Sequence, residues 1–131
     1  EHLLETVRDS AFLKAVLASV EGGSVLAGSS AGAMVMGSMM RGPRSGGWVE
    51  SLGIVPGVAV LPHHERRDQA ETSKELQESA PGGLTILGID ARTGCLGTPG
   101  NWGVVGAGCV TVYRGSEWQI FSSGDKLPTG F

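Results

Sequence analysis

Apolar residues near the start of the chain recur at the spacing of one helix face. They are Leu3, Leu4, Val7, Phe12, Leu13, Val16, Leu17 and Val20, and a Glu-Gly-Gly sequence follows them. This spacing predicts a helix with a core-facing stripe that ends near Gly22. The next apolar run, Ser24 to Ala27, has the length of a short buried strand. A Gly-bounded turn comes next, and residues Ala31 to Gly37 predict a second helix.

Strand and helix patterns continue to alternate through the middle of the chain. Val58–Leu61 and Leu84–Ile89 are apolar runs typical of buried strands, and the polar stretch 68–79 between them favours a helix. Beyond these, short alternating segments such as Cys109–Tyr113 predict β-hairpins. The order of helix, strand, turn and helix is that of an α/β domain, and we find no internal repeat or linker.

Length and charge restrict the partners that this domain can have. The chain has 131 residues, which fits one domain with a real core, and its 22 glycines punctuate apolar runs as tight turns would. The 10 Lys and Arg against 13 Asp and Glu leave a net charge of −3 without a basic block, which disfavours nucleic-acid binding. No apolar run approaches the roughly 20 residues of a membrane span, so we expect no membrane partner.

The two cysteines, Cys95 and Cys109, do not form a Cys-x-x-Cys pair, and no signal-peptide pattern opens the sequence. We therefore expect buried free thiols and a cytoplasmic location. The sequence shows neither metal-ligand spacing nor a dinucleotide-binding or P-loop pattern. We accordingly expect no metal and no cofactor.

The strongest local signal is the turn Gly28-Ser29-Ser30-Ala31-Gly32, which lies between a predicted strand and a predicted helix. A Gly-x-Ser-x-Gly turn in this setting is typical of a nucleophile elbow, which lifts the Ser hydroxyl clear of the sheet edge. The N-terminus of the following helix offers backbone N–H groups to a developing oxyanion. The alternative is an ordinary turn in which Ser30 caps the helix.

A serine nucleophile needs a base, and His63 and His64 directly follow the strand at 58–61. Asp90 follows the strand at 84–89, so it is placed to orient an imidazole by the same logic. Carboxylates less well placed for this role are Glu50, Glu65 and Asp68. The alternatives are a solvated His pair and a capping role for Asp90.

Four stretches in order resemble the dipeptidase E and cyanophycinase family of serine peptidases. Gly28–Ala33 resembles the family's Ser-Ala-Gly-Ala elbow, and Leu52–His64 resembles its strand ending in Pro-His-aromatic. Leu87–Thr93 resembles its Gly-Ile-Asp-Glu-x-Thr segment, and Val104–Val112 resembles its terminal hairpin. The match runs from about Leu3 to Tyr113. It implies a fold like that of class I glutamine amidotransferases and flavodoxin: a three-layer α/β/α sandwich with a mainly parallel sheet and a C-terminal hairpin region.

The resemblance also assigns roles to individual residues. It implies that Ser30 is the nucleophile and His63 the base, with His64 at the aromatic position and second in rank as the base. It implies that the N–H of Ala31 contributes to the oxyanion hole, with Gly32 beside it. Family members often prefer aspartyl substrates, and five arginines cluster near these loops: Arg41, Arg44, Arg66, Arg67 and Arg92. Of these, we expect Arg92 to contact a substrate carboxylate, with solvated loop charge as the alternative.

One position departs from the family pattern. Ala91 stands where the family has the Glu of its triad. Asp90 or another carboxylate replaces that Glu, or Ser30 and His63 act as a pair, or the chain is inactive. We therefore predict a serine exopeptidase or dipeptidase acting on short peptides, with a catalytically impaired binding or regulatory domain as the alternative. An amidotransferase-like acyl transfer is disfavoured because no Cys occupies the elbow.

The resemblance implies that the family's domain is longer than this chain. In the family, the first strands and a Gly-rich oxyanion loop precede the position of Glu1. We therefore expect residues 1–131 to be a single peptidase-like domain that lacks those strands and takes that missing segment as a partner. Assembly into a homo-oligomer is compatible with the family.

Overall fold

Helices dominate the beginning of the chain and strands its end. The computed structural model describes residues 1–130. The helices are α1 (His2–Val7), α2 (Ala11–Glu21), α3 (Ala31–Met36) and α4 (Gln69–Ser79), with a 3-10 turn at His64–Arg66. The strands are β1 (Met39–Arg41), β2 (Trp48–Glu50), β3 (Val58–Pro62), β4 (Thr85–Ile89), β5 (Thr93–Thr98), β6 (Asn101–Gly106), β7 (Cys109–Arg114) and β8 (Glu117–Ser122).

A four-stranded sheet in the order β3-β4-β7-β8 carries the core. β3 and β4 are parallel, and α4 is the crossover that such a pair needs. β7 runs antiparallel to β4, and β8 runs antiparallel to β7. Because β3 and β4 are parallel, their carboxyl ends meet at one edge of the sheet, where Pro62 lies opposite Ile89. The residues that directly follow these strands therefore come close together.

The two faces of this sheet hold two apolar clusters, because successive side chains along a strand point to opposite faces. One cluster contains Val58, Val60, Leu87, Val104, Val110, Val112, Phe121 and Leu127. The other contains Ala59, Leu76, Ile86 and Tyr113. Leu76 belongs to α4, so this helix covers the second face of the sheet.

The mixed α/β class is confirmed, but the predicted predominance of parallel strands is not found. Within residues 1–130 the pair β3 and β4 is parallel, whereas β7, β8 and the two-stranded sheets β1-β2 and β5-β6 are antiparallel. Strands joined by a tight turn, such as β5 and β6 or β7 and β8, must reverse direction. The three-layer sandwich is accordingly not confirmed by the described residues.

Two predictions for the first 30 residues were wrong. The single helix is divided into α1 and α2, because Asp9 adopts φ 58° and the Ser10 hydroxyl caps α2 by accepting the N–H of Leu13. α2 buries none of its residues, so it lacks the predicted core-facing stripe. Residues 24–29 form no strand, and Val25 is 83% exposed. A strand requires a hydrogen-bonded neighbour, which the apolar pattern alone does not supply.

Three sequence-based expectations concern cysteines, membranes and metals. Cys95 and Cys109 are free thiols, as predicted, but they are half-buried rather than buried. No helix among residues 1–130 combines the length and apolar character needed to cross a membrane. In the same part of the chain, no three His, Cys, Asp or Glu side chains gather closely enough to hold a metal ion.

Candidate active site

Ser30 lies at the start of α3 with φ 51° and ψ −115°, a left-handed conformation that is strained for a residue with a Cβ. The turn is held by backbone hydrogen bonds, in which the N–H of Gly32 donates to Ser29 O at 2.8 Å and that of Met34 to Ser30 O at 3.1 Å. The Ser30 side chain makes no capping hydrogen bond to the helix. The hydroxyl is therefore available to the cleft above it, as in a nucleophile elbow.

Gly28 lets the elbow lie against α3. A Cβ at this position would lie 2.5 Å from the carbonyl oxygen of Gly32 and 2.6 Å from the sulfur of Met36. Real Cβ atoms do not approach backbone oxygen so closely. The small residue thus sets the distance between the segment 24–29 and the helix that follows Ser30.

We expect Gly28→Ala to displace the elbow. The substitution should destabilise the fold by about 1–3 kcal/mol through overpacking, and it should lower activity about 100-fold because the nucleophile moves. Denaturant unfolding and the rate of Ser30 modification measure the two effects. Gly82→Ala is the matched control, because a Cβ there has no neighbour within 4 Å. Equal stability and activity of the two variants would contradict the role given to Gly28.

His63 directly follows β3 and places its imidazole next to Ser30. The distance from His63 Nε2 to Ser30 Oγ is 3.4 Å, a long hydrogen bond of the kind found in unliganded active sites. His63 adopts a left-handed conformation with φ 55° and ψ 46°. Both members of the pair therefore have backbone conformations that are uncommon for residues other than glycine.

His64 turns away from Ser30 into the protein interior. It is 2% exposed, and its Nε2 lies 2.6 Å from the hydroxyl of Tyr113. Its ring packs so closely on Gly88 that a Cβ there would lie 2.4 Å from His64 Cδ2. Burial lowers the pKa of His64, while the charge of Asp90 acts in the opposite direction. The structure thus separates the two neighbouring histidines, with His63 at the cleft and His64 in the core.

Two carboxylates lie near the cleft, and each is held by a backbone N–H. Asp90 Oδ2 accepts the N–H of Cys109 at 2.8 Å. Glu65 Oε2 accepts the N–H of Ala91 at 2.9 Å. The bond from Ala91 is the largest cause of a lowered pKa of Glu65, and the charge of His63 acts in the same direction. The role of Asp90 in orienting His63 stays a prediction, and so does the lower rank that the sequence gives to Glu65.

Ser30 and His63 open into a cleft of about 480 Å³. Apolar side chains form most of its walls, among them Ala33, Met36, Val55, Val58, Val60, Leu87, Ile89, Leu96 and Trp102. Asp90, Ala91 and Arg92 form one rim, and Arg92 is exposed with φ 56°. An apolar cleft with a few convergent polar groups is the usual form of a small-ligand site.

Cys95 also lines the cleft, but it is poorly suited to act as a nucleophile. Burial raises the pKa of its thiol to about 11. Because the thiolate is the reactive form, the protonated thiol is nearly inert at neutral pH. This agrees with the sequence argument against an acyl transferase with a Cys nucleophile.

Comparison with known families identifies the chain. The sequence model of peptidase family S51 matches residues 1–95, a range that contains Ser30, His63 and Asp90. The chain belongs to peptidase family S51. The resemblance drawn from the motifs is therefore confirmed, and at the level of the family it implies a serine peptidase, a hydrolase.

A solved structure supports the family assignment of this S51 chain. A peptidase from an acI-B1 Actinobacterium has a crystal structure that matches it with a TM-score of 0.78 and 25% sequence identity. The alignment covers 96% of this chain and 54% of that one, so this chain spans about half the length of that peptidase. None of the curated proteins compared with the chain matches it.

Proposed function

We propose that this chain carries the nucleophile and base of a serine peptidase that hydrolyses short peptides. The observation that supports the proposal is the 3.4 Å approach of Ser30 Oγ to His63 Nε2 at the mouth of an apolar cleft. A hydroxyl becomes a competent nucleophile when a base within hydrogen-bond reach accepts its proton. Both residues also lie in the part of the chain that the family model covers.

The proposed reaction passes through an acyl-enzyme. Ser30 Oγ bonds to the scissile carbonyl carbon while its proton moves to His63 Nε2, and the carbonyl oxygen becomes an oxyanion. In the proposed reaction the N–H of Ala31, at the start of α3, donates a hydrogen bond to that oxyanion. The Gly32 N–H already donates to Ser29 O, so in this proposal Gly32 leaves space for the substrate and does not donate to the oxyanion.

The acyl-enzyme then forms and breaks down through the same base. The C–N bond breaks as His63 returns its proton to the leaving amine. Water next gives a proton to His63 and bonds to the acyl carbon, and that proton returns to Ser30 Oγ as the carboxylic acid leaves. Neither acylation nor deacylation needs a cofactor, because every proton and every bond in the two steps is accounted for by Ser30, His63, the peptide and water.

Arg92 is the residue that we propose binds a charged group of the substrate. Arg92 is an exposed residue that lines the cleft, and in the proposal its guanidinium pairs with a carboxylate of a short peptide, such as an aspartyl side chain. Guanidinium recognises carboxylate by two parallel hydrogen bonds, which gives orientation as well as affinity. The apolar cleft walls would contact the remainder of the peptide.

Covalent labelling with a fluorophosphonate probe tests the proposal without knowledge of the substrate. Ser30 Oγ bonds to phosphorus, fluoride leaves, and His63 takes the hydroxyl proton. We expect one adduct per chain, placed on Ser30 by peptide mass mapping. Folded protein that stays unlabelled would instead support a second candidate, a binding or regulatory domain. Ala91 favours this second candidate, since it removes the carboxylate that the family pattern has there.

A further inference from the structure

The chain directly after His63 is anchored to the two central strands of the four-stranded sheet, β4 and β7. On β7, the hydroxyl of Tyr113 lies 2.6 Å from His64 Nε2. The two rings also meet edge to face, with centroids 5.5 Å apart and planes at 83°. On β4, the imidazole fills the space that Gly88 leaves free, because a Cβ there would lie no more than 2.7 Å from three imidazole atoms. Both strands therefore hold His64 in place.

We propose that Tyr113 is a positioning residue that keeps His63 within reach of Ser30 by holding His64 in the core. The inference rests on the proposed function, because it assigns a support to the base of the same pair. His63 and His64 share one planar peptide unit, so an anchored His64 restricts the backbone rotations that direct the His63 ring. The 3.4 Å separation of Ser30 Oγ and His63 Nε2 then depends on a contact in the interior.

The backbone of His63 needs this support because its conformation is uncommon. His63 has φ 55° and ψ 46°, a left-handed conformation that is strained for a residue with a Cβ. Such conformations persist where the surrounding contacts hold them in place. His63 is exposed, whereas His64 and Tyr113 are both buried, so the buried pair supplies rigid contacts next to the exposed residue.

The bond between His64 and Tyr113 joins two groups that are uncharged at neutral pH. Burial lowers the pKa of His64 and raises the pKa of Tyr113, so the imidazole stays neutral and the phenol keeps its proton. Removing this bond should therefore change the geometry of the Ser30–His63 pair without changing the charge beside it. This difference separates a positioning role from an electrostatic one.

Fluorophosphonate labelling of Tyr113→Phe tests the inference, because Phe keeps the ring contact with His64 and removes only the hydroxyl. We expect the maximal labelling rate per folded molecule to fall about tenfold, since catalysis is sensitive to small displacements of the base. The probe concentration for the half-maximal rate and the pH midpoint of labelling should stay at their parent values. A purely structural role would lower the labelled fraction and leave the rate of the folded molecules unchanged.

Phe121→Leu is the matched control, with the folded fraction of each variant taken from urea unfolding. This substitution also alters a buried aromatic side chain of the same sheet, but Phe121 belongs to the apolar cluster on the other face. Its folded molecules should be labelled at the parent rate. A tenfold fall in Phe121→Leu as well would overturn the inference, because any disturbance of the sheet would then slow labelling.

Two substitutions at position 64 separate the hydrogen bond from packing alone. Gln can place an amide where His64 has Nε2, so His64→Gln should keep the labelling rate within about threefold of the parent, whereas His64→Leu should lose about tenfold. A Tyr113→Phe rate equal to the parent rate, or equal rates for the two position-64 variants, would overturn the role of Tyr113. Either result leaves the proposed function standing as long as the parent is labelled at Ser30. An unlabelled parent overturns the proposed function itself.

Discussion

Ser30→Ala is expected to lower peptide hydrolysis by at least about 10⁴-fold and to abolish fluorophosphonate labelling. The hydroxyl forms the covalent bond in the proposed reaction, and the Cys95 thiol in the same cleft does not substitute for it, since burial keeps that thiol protonated. Release of new amino groups from a panel of short peptides, some with aspartyl residues, measures the first effect. Intact-protein mass measures the second.

The stability of this variant distinguishes loss of chemistry from loss of structure. The Ser30 side chain makes no capping hydrogen bond, so its removal should change the free energy of unfolding by less than about 0.5 kcal/mol. Ser116→Ala, in the turn between β7 and β8, is the control for a serine far from the cleft. Hydrolysis by Ser30→Ala at the parent rate would show that the nucleophile has been assigned wrongly.

Replacing each of the two neighbouring histidines by Asn is expected to give opposite results. His63→Asn should lower activity about 10²–10⁴-fold, because it removes the base. It should leave stability nearly unchanged, since His63 is exposed and Asn tolerates its left-handed backbone. His64→Asn should cost about 2–4 kcal/mol of stability, because it leaves a void against Gly88 and removes the bond to Tyr113. Labelling kinetics and urea unfolding measure the two quantities.

The pH dependence of stability provides a further measurement for the same pair. Burial lowers the pKa of His64 below its usual 6.5, so as the pH falls through 6.5 the unfolded chain binds the proton first. The parent should therefore lose stability on acidification below about pH 6.5. His64→Asn should lose this component, and His63→Asn should keep it. Catalytic loss in His64→Asn with full stability would mean that the histidines have been assigned in the wrong order.

Most of the site could be predicted from sequence, because its central parts are local. The elbow is a short run in which Gly28 and Ser30 are nearly adjacent, and its conformation depends on the absence of a Cβ at Gly28. His63 follows directly from the end of a strand whose apolar run is visible in the sequence. Residues that directly follow neighbouring parallel strands meet at one edge of the sheet. This rule predicts that His63 and Asp90 lie near one another.

The remaining parts could not be predicted, because they depend on contacts between distant segments. The bond from Ala91 N–H to Glu65 joins positions 26 apart in the chain. The assignment of His64 to the core depends on Tyr113, 49 residues away. β7 pairs with β4 in the antiparallel direction. The apolar alternation along a strand is the same for a parallel and an antiparallel neighbour, so the sequence does not show this direction.

The sequence by itself therefore determined the S51 family, the nucleophile elbow and the order of β3, α4 and β4, because each rests on neighbouring residues and their periodicity. Only the tertiary structure decided which of the two histidines faces Ser30. It also decided that residues 24–29 form no strand and that the Glu65 carboxylate accepts the N–H of Ala91. Those features arise from packing and hydrogen bonds across the fold. Their energies depend on distances that no local pattern records.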